Sequence, residues 1–146
     1  MARTREVLIV ATYGIDAFYG VISEMERHEC IAFAASTPQI TREYIQNRQF
    51  DAIIINLEPD GKGGVAEIDL LDAIASSPLQ KNAICLGVSA EYPHSLPDSE
   101  SEKNLKFLAG WLTLPIKPKA LADHIIELIE STHKLTIKEL MQAARQ

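Results

Sequence analysis

The residues best placed to do chemistry in this 146-residue chain stand where short apolar runs end. Ala11, Thr12 and Tyr13 close the run that starts at Val7. Asn56, Leu57 and Glu58 follow Ala52–Ile55, and Ser89, Ala90 and Glu91 follow Ala83–Val88. Leu114 and Pro115 close the run that starts at Trp111. These stations offer neutral oxygens from Thr12, Asn56 and Ser89, with Asp16, Glu58 and Asp60 nearby in sequence. A metal site rebuilt from those acids is conceivable, but solvated loop acids are the simpler reading. Ser89 has no histidine close in sequence and no GxSxG elbow, so no nucleophile–base–orienter set is visible, and an enzyme is not expected.

Other candidates carry less. The loop Pro59-Asp60-Gly61-Lys62-Gly63-Gly64 lacks the Ser/Thr after Lys that a phosphate loop needs, and its glycines miss the dinucleotide spacing. A plain turn fits it better. His28, His94, His124 and His133 are scattered, with no metal-ligand spacing between any two. Cys30 and Cys85 form no CxxC, and each reads as a small buried hydrophobe on its own strand. Neither metal nor cofactor is called for.

The elements that must position these residues follow from hydrophobic period. Continuous, β-branched runs at 7–11, 52–55 and 83–88 read as strands buried on both faces of a parallel sheet. Cys30–Ala35 and Trp111–Leu114 read as two more. Between them the spacing turns helical. Ile15, Phe18, Tyr19 and Ile22 form one helix; Thr37-Pro38 caps a second, continued by Ile40 and Tyr44. A third spans about 65–76 with Ile68 and Leu71 inward. The Pro- and Ser-rich stretch 92–102 leads to a short fourth, and Pro118 opens a fifth with Leu121, Ile125, Leu128 and Ile129 on one face. Strict alternation of strand and helix predicts a doubly wound α/β fold: five parallel strands in a three-layer α/β/α sandwich. Ligands of such sheets sit beyond the carboxyl ends of the strands, where the strand order reverses.

Length gives one domain as the prior, at roughly 150 residues per domain. Residues 1–131 complete it, and 132–146 are expected to form a helical tail or linker, with Thr136 capping a short separate helix. That tail packs on its own domain, or serves as a dimer seam or a link to an output region. A net charge of −6 argues against nucleic acid binding by the domain itself. No run is long enough for a signal peptide or a membrane span, so a cytoplasmic protein without membrane contact is expected.

Element order and three local stretches resemble the response-regulator receiver domains of two-component signalling, of the chemotaxis-regulator type. The stretches are Phe50–Asn56, Val88-Ser89-Ala90 and Gly110–Pro115, and the likeness covers roughly Arg5 to Ser131. The resemblance implies a flavodoxin-like sheet of order 2-1-3-4-5. It also implies a magnesium-bound acidic pair, a phosphorylated aspartate, a hydroxyl and a lysine at the strand ends. Here the acidic pair reads Ala11 and Thr12, the aspartate Asn56 and the lysine Leu114, while Ser89 keeps the hydroxyl. An alanine offers magnesium no oxygen, an amide is a poor nucleophile, and leucine cannot stabilise phosphoryl charge. The expectation is a degenerate pocket and a pseudo-receiver that works without phosphorylation. It would be a signalling or regulatory module acting by protein–protein contact, including regulation of transcription through a fused or partner output domain.

The resemblance places the working face on helix 4, strand 5 and helix 5, with Ser89, Trp111, Lys117 and Lys119, and implies a homodimer through it. Trp111 is either a packed side chain or an exposed anchor for a partner. The rival reading is a small-molecule sensor that holds a neutral or weakly anionic ligand beyond Ala11, Thr12, Asn56 and Ser89.

Overall fold

The computed structural model describes residues 4–11, 15–56, 68–89, 110–113 and 116–145; for Ile15, Ala17, Ile68, Asp69, Gly110, Trp111, Thr113 and residues 132–145 it describes the backbone alone. Five strands form one sheet: β1 (Arg5–Val10), β2 (Cys30–Ala35), β3 (Ala52–Asn56), β4 (Ile84–Ser89) and β5 (Gly110–Thr113). Their order is β2-β1-β3-β4-β5, and every neighbouring pair is parallel. The expected sheet is therefore present. The central strands are the most apolar, because both of their faces are covered. Val7 to Val10 and Ile53 to Ile55 are all buried.

Side chains alternate between two apolar layers, as a strand's period of two requires. Val7, Ile9, Ala11, Ala52, Ile54, Leu86 and Val88 face one layer. Leu8, Val10, Ile53, Ile55 and Cys85 face the other. The first layer is closed by α1 (Tyr19–Arg27), entered through a 3-10 turn at Ile15–Phe18, and by the last helix, α4 (Pro118–Arg145). The second is closed by α2 (Pro38–Asn47) and α3 (Ile68–Ser76). The short helix expected before β5, the glycine-rich loop and His94 lie outside the described residues.

Local chemistry fixes several ends. Thr37 caps α2: its Oγ1 accepts from the Ile40 amide at 3.1 Å, and Pro38 takes the first helical position, where no amide is needed. The apolar stripe of α2 differs from the expected one. Thr41 and Ile45 are buried, while Ile40 is exposed. Thr41 tolerates burial because its hydroxyl donates to the Thr37 carbonyl at 2.8 Å. Phe18, closing the 3-10 turn, and Val21 and Met25 of α1 point inward, and Tyr19 faces outward.

A buried polar hub ties α2 to the turn before β4. The Gln80 side chain is buried; its Nε2 donates to the carbonyls of Ile45 (3.0 Å) and Arg48, and its Oε1 accepts from the Phe50 amide at 3.1 Å. One side chain thus satisfies groups released where the helix ends.

The separate helix expected from Thr136 is absent: α4 runs unbroken from Pro118 to Arg145, with Thr136 inside it. Residues 119–145 contain neither Gly nor Pro, so nothing in the chain breaks the i to i+4 ladder. No helix among the described residues is long and apolar enough to cross a membrane.

Candidate functional site

Register brings three of the sequence-selected residues together. Val10 aligns with Ile55, so the next residues along the two strands are Ala11 and Asn56. Asn56 aligns in turn with Val88, and Ser89 is one step beyond. Neighbouring strands lie about 4.8 Å apart, so Ala11, Asn56 and Ser89 occupy one mouth at the carboxyl ends of three adjacent strands. The chain turns to opposite sides of the sheet after β1 and after β3, which puts the reversal of strand order at this mouth.

All three are buried. Ala11 is fully buried, and its amide donates to the Ala35 carbonyl at 3.0 Å, extending the β1–β2 ladder by one step. Asn56 is 5% exposed and Ser89 0%. Thr12 and Leu114 lie outside the described residues.

The donors present do not suit a divalent cation. Magnesium needs near-octahedral oxygen coordination, usually with carboxylate charge. Ala11 presents a methyl group, and Asn56 and Ser89 supply uncharged oxygens. The described part of the mouth therefore does not fit the ion that the receiver resemblance implies.

The sequence-selected residues of the partner face fall at the end of β4 (Ser89), on β5 (Trp111) and at the opening of α4 (Lys117 and Lys119). Ser89 aligns with Thr113 across the β4–β5 pair, and Gly87 with Trp111. Lys117 and Lys119 are exposed at the opening of α4. Lys119 is not a lone cation: its Nζ lies 2.9 Å from Asp123 Oδ2, and the other oxygen of Asp123 meets His28 Nε2 at 3.1 Å. The Lys119 ammonium, hydrogen-bonded to it, holds the Asp123 carboxyl below its ordinary range, and Asp123 raises the lysine in return. The i, i+4 spacing of Lys119 and Asp123 was available in the sequence. The approach of His28 from α1 has no local signal.

No protein-family model matches the sequence, and no curated protein matches it. Solved structures do. A CheY-like response regulator receiver domain from Methanospirillum hungatei JF-1 superposes with a TM-score of 0.69 at 17% identity, covering 90% of this chain and 98% of that one. The chemotaxis protein CheY4 of Vibrio cholerae gives 0.66 at 17% identity, covering 86% and 98%. A Burkholderia pseudomallei response regulator with a phosphorylated aspartic acid, calcium ion and citrate gives 0.60 at 12% identity, covering 94% and 74%. With its strand order, its two helical layers and its site at the β1–β3 reversal, this chain has the fold of the CheY-like response-regulator receiver domains.

Proposed function

We propose that this chain is a pseudo-receiver: a signalling module that works without a phosphorylation cycle, through contact with another protein. The observation that supports the reading is the mouth itself. A buried alanine and a buried amide stand at the ends of β1 and β3, where phosphoryl chemistry needs carboxylates. A carboxylate oxygen can attack phosphorus and leave an acyl phosphate; the Asn56 amide has its lone pair delocalised and forms no such adduct. Ligand-driven switching also needs a ligand that binds two states differently, and this mouth offers a phosphoryl group no such difference.

Information then leaves through a surface of fixed shape. The face at β5 and the opening of α4, with Trp111, Lys117 and Lys119, is the partner-binding side in this reading. A fused or associated output domain, one regulating transcription included, would read that face. The test is Trp111 fluorescence with magnesium and beryllofluoride. The emission is expected to stay flat, whereas a saturable magnesium-dependent change would overturn the proposal. A second reading, small-molecule sensing, draws on the uncharged polar pair Asn56 and Ser89 at the mouth. It expects a thermal shift with a neutral metabolite, since a ligand specific to the native state raises Tm.

A further inference from the structure

A groove between α2, the end of α3 and the turn that follows has the composition of a ligand site, and we propose that it takes a small organic carboxylate with an apolar body. Ile45, Ala73, Pro78 and Leu79 supply its apolar wall, and Arg42 and Gln46 of α2 its polar border. The volume is about 440 Å³, within the roughly 300–1,000 Å³ of small-molecule sites. Leu79 is 42% exposed, so the wall includes apolar surface that the fold leaves open to water. Covering such surface favours a ligand with an apolar body.

The charge at this groove has one sign. Among the described residues Arg42 is the only charged side chain that lines it. Arg5, Arg27 and Arg48 each meet a carboxylate of their own chain, at 3.2, 3.8 and 2.6 Å. Arg42 meets none among the described residues. In a chain of net charge −6, a guanidinium without a carboxylate partner is open to an anion from solution. Its planar fork of donors matches a carboxylate, and the bond strengthens where apolar surface excludes water.

The Gln80 hub holds the groove in shape. Gln80 Nε2 and Ser77 Oγ both donate to the Ile45 carbonyl, at 3.0 and 3.4 Å, and Gln80 also binds the Arg48 carbonyl and the Phe50 amide. The end of α2 is thereby fixed to the turn that carries Pro78 and Leu79, so a ligand enters a site that is already formed. Phe50, beside the hub, precedes the amino end of β3, whereas the mouth with Asn56 is at the carboxyl end of the same strand. The site is therefore separate from the mouth, and it does not rest on the pseudo-receiver reading.

The experiment titrates the isotope-labelled full chain with phenylbutyrate and follows the backbone amides by NMR. Saturable shifts are expected at Arg42, Ile45, Gln46, Ser76 and Leu79, with a Kd of about 1 mM, as suits a ligand of this size. Phenylbutanol and phenylbutylamine keep the apolar body and lack the negative charge, so each should bind at least about tenfold more weakly. Arg42→Gln, at an exposed position, should weaken phenylbutyrate at least about tenfold. Arg27→Gln, on the opposite helical layer, should leave its binding unchanged. Shifts that do not saturate or that map to the mouth, an alcohol or amine that binds as well as the carboxylate, or an Arg42→Gln variant that binds like the native chain would each overturn the proposal. A loss in Arg27→Gln equal to that in Arg42→Gln would overturn it too, because the effect would then be one of net charge alone.

Discussion

Restoring a carboxylate at the end of β3 should cost stability rather than restore an ion site. Asn56→Asp puts a charge where the native side chain is 5% exposed, beside Ala11, Val88 and Ser89, which are all fully buried. Replacing the buried amide by an ionised carboxylate costs roughly 1–3 kcal/mol by protein mutational data. A loss of about 2 kcal/mol lowers the Tm of a domain this size by about 4–8 °C. The sign with pH follows from desolvation. Burial raises the new carboxyl above its unfolded value of about 3.9. The penalty is then full above the folded value and fades as pH falls toward the unfolded one. The assay is the Tm difference between variant and native protein at pH 7.5 and pH 5, with and without millimolar magnesium. The gap should narrow at the lower pH and ignore magnesium. A variant as stable as the native chain at pH 7.5, or one whose Tm climbs saturably with magnesium, would refute the reasoning, because the mouth would then be supplying ligands to a cation.

Other consequences follow from single contacts. Gln80→Ala removes three hydrogen bonds from a buried hub. At about 1 kcal/mol each the loss is roughly 2–4 kcal/mol, readable as a lower urea midpoint at unchanged slope. In Gly20→Ala the new methyl would stand 2.8 Å from Pro118 Cγ, so α1 and α4 must separate; destabilisation of roughly 1–3 kcal/mol is expected in the same assay. Burial pushes the Cys85 thiol up to about 12, and burial with the nearby Asp51 charge pushes Cys30 up to about 11. Both thiols should therefore resist a disulfide reagent at pH 8 until urea unfolds the chain, and stability should fall above about pH 9, where the unfolded thiols ionise and the folded ones do not.

The sheet was legible because its signal is local. Runs such as Ala52–Ile55 are both β-branched and continuous, and only a strand covered on two faces uses that pattern. β2 falls on the very residues read from the sequence, Cys30–Ala35, and the others differ by a residue or two at their ends. Thr37-Pro38 marked the start of α2 for an equally local reason, since a cap hydroxyl and a missing amide act within one turn. The mouth was legible in part: strand ends and parallel order are enough to bring Ala11, Asn56 and Ser89 together.

What the sequence hid depends on distant partners. Gln80 reads as an ordinary turn residue until Ile45, Arg48 and Phe50 are placed around it, about thirty positions away. Helical spacing put Ile40 on the α2 stripe, whereas Thr41 is the residue turned inward, because a hydroxyl bonded within its own helix can be buried at little cost. Thr136 resembles a cap, yet a cap works only where the backbone leaves the helix, and α4 does not leave it there.

The most direct measurement is the intact mass of the protein after incubation with acetyl phosphate and magnesium at neutral pH. A site with an amide on β3 and a methyl group on β1 should leave the mass unchanged, however long the exposure. A stoichiometric phosphoryl increment that maps to Asn56 or its flanking residues, and that requires magnesium, would contradict the account.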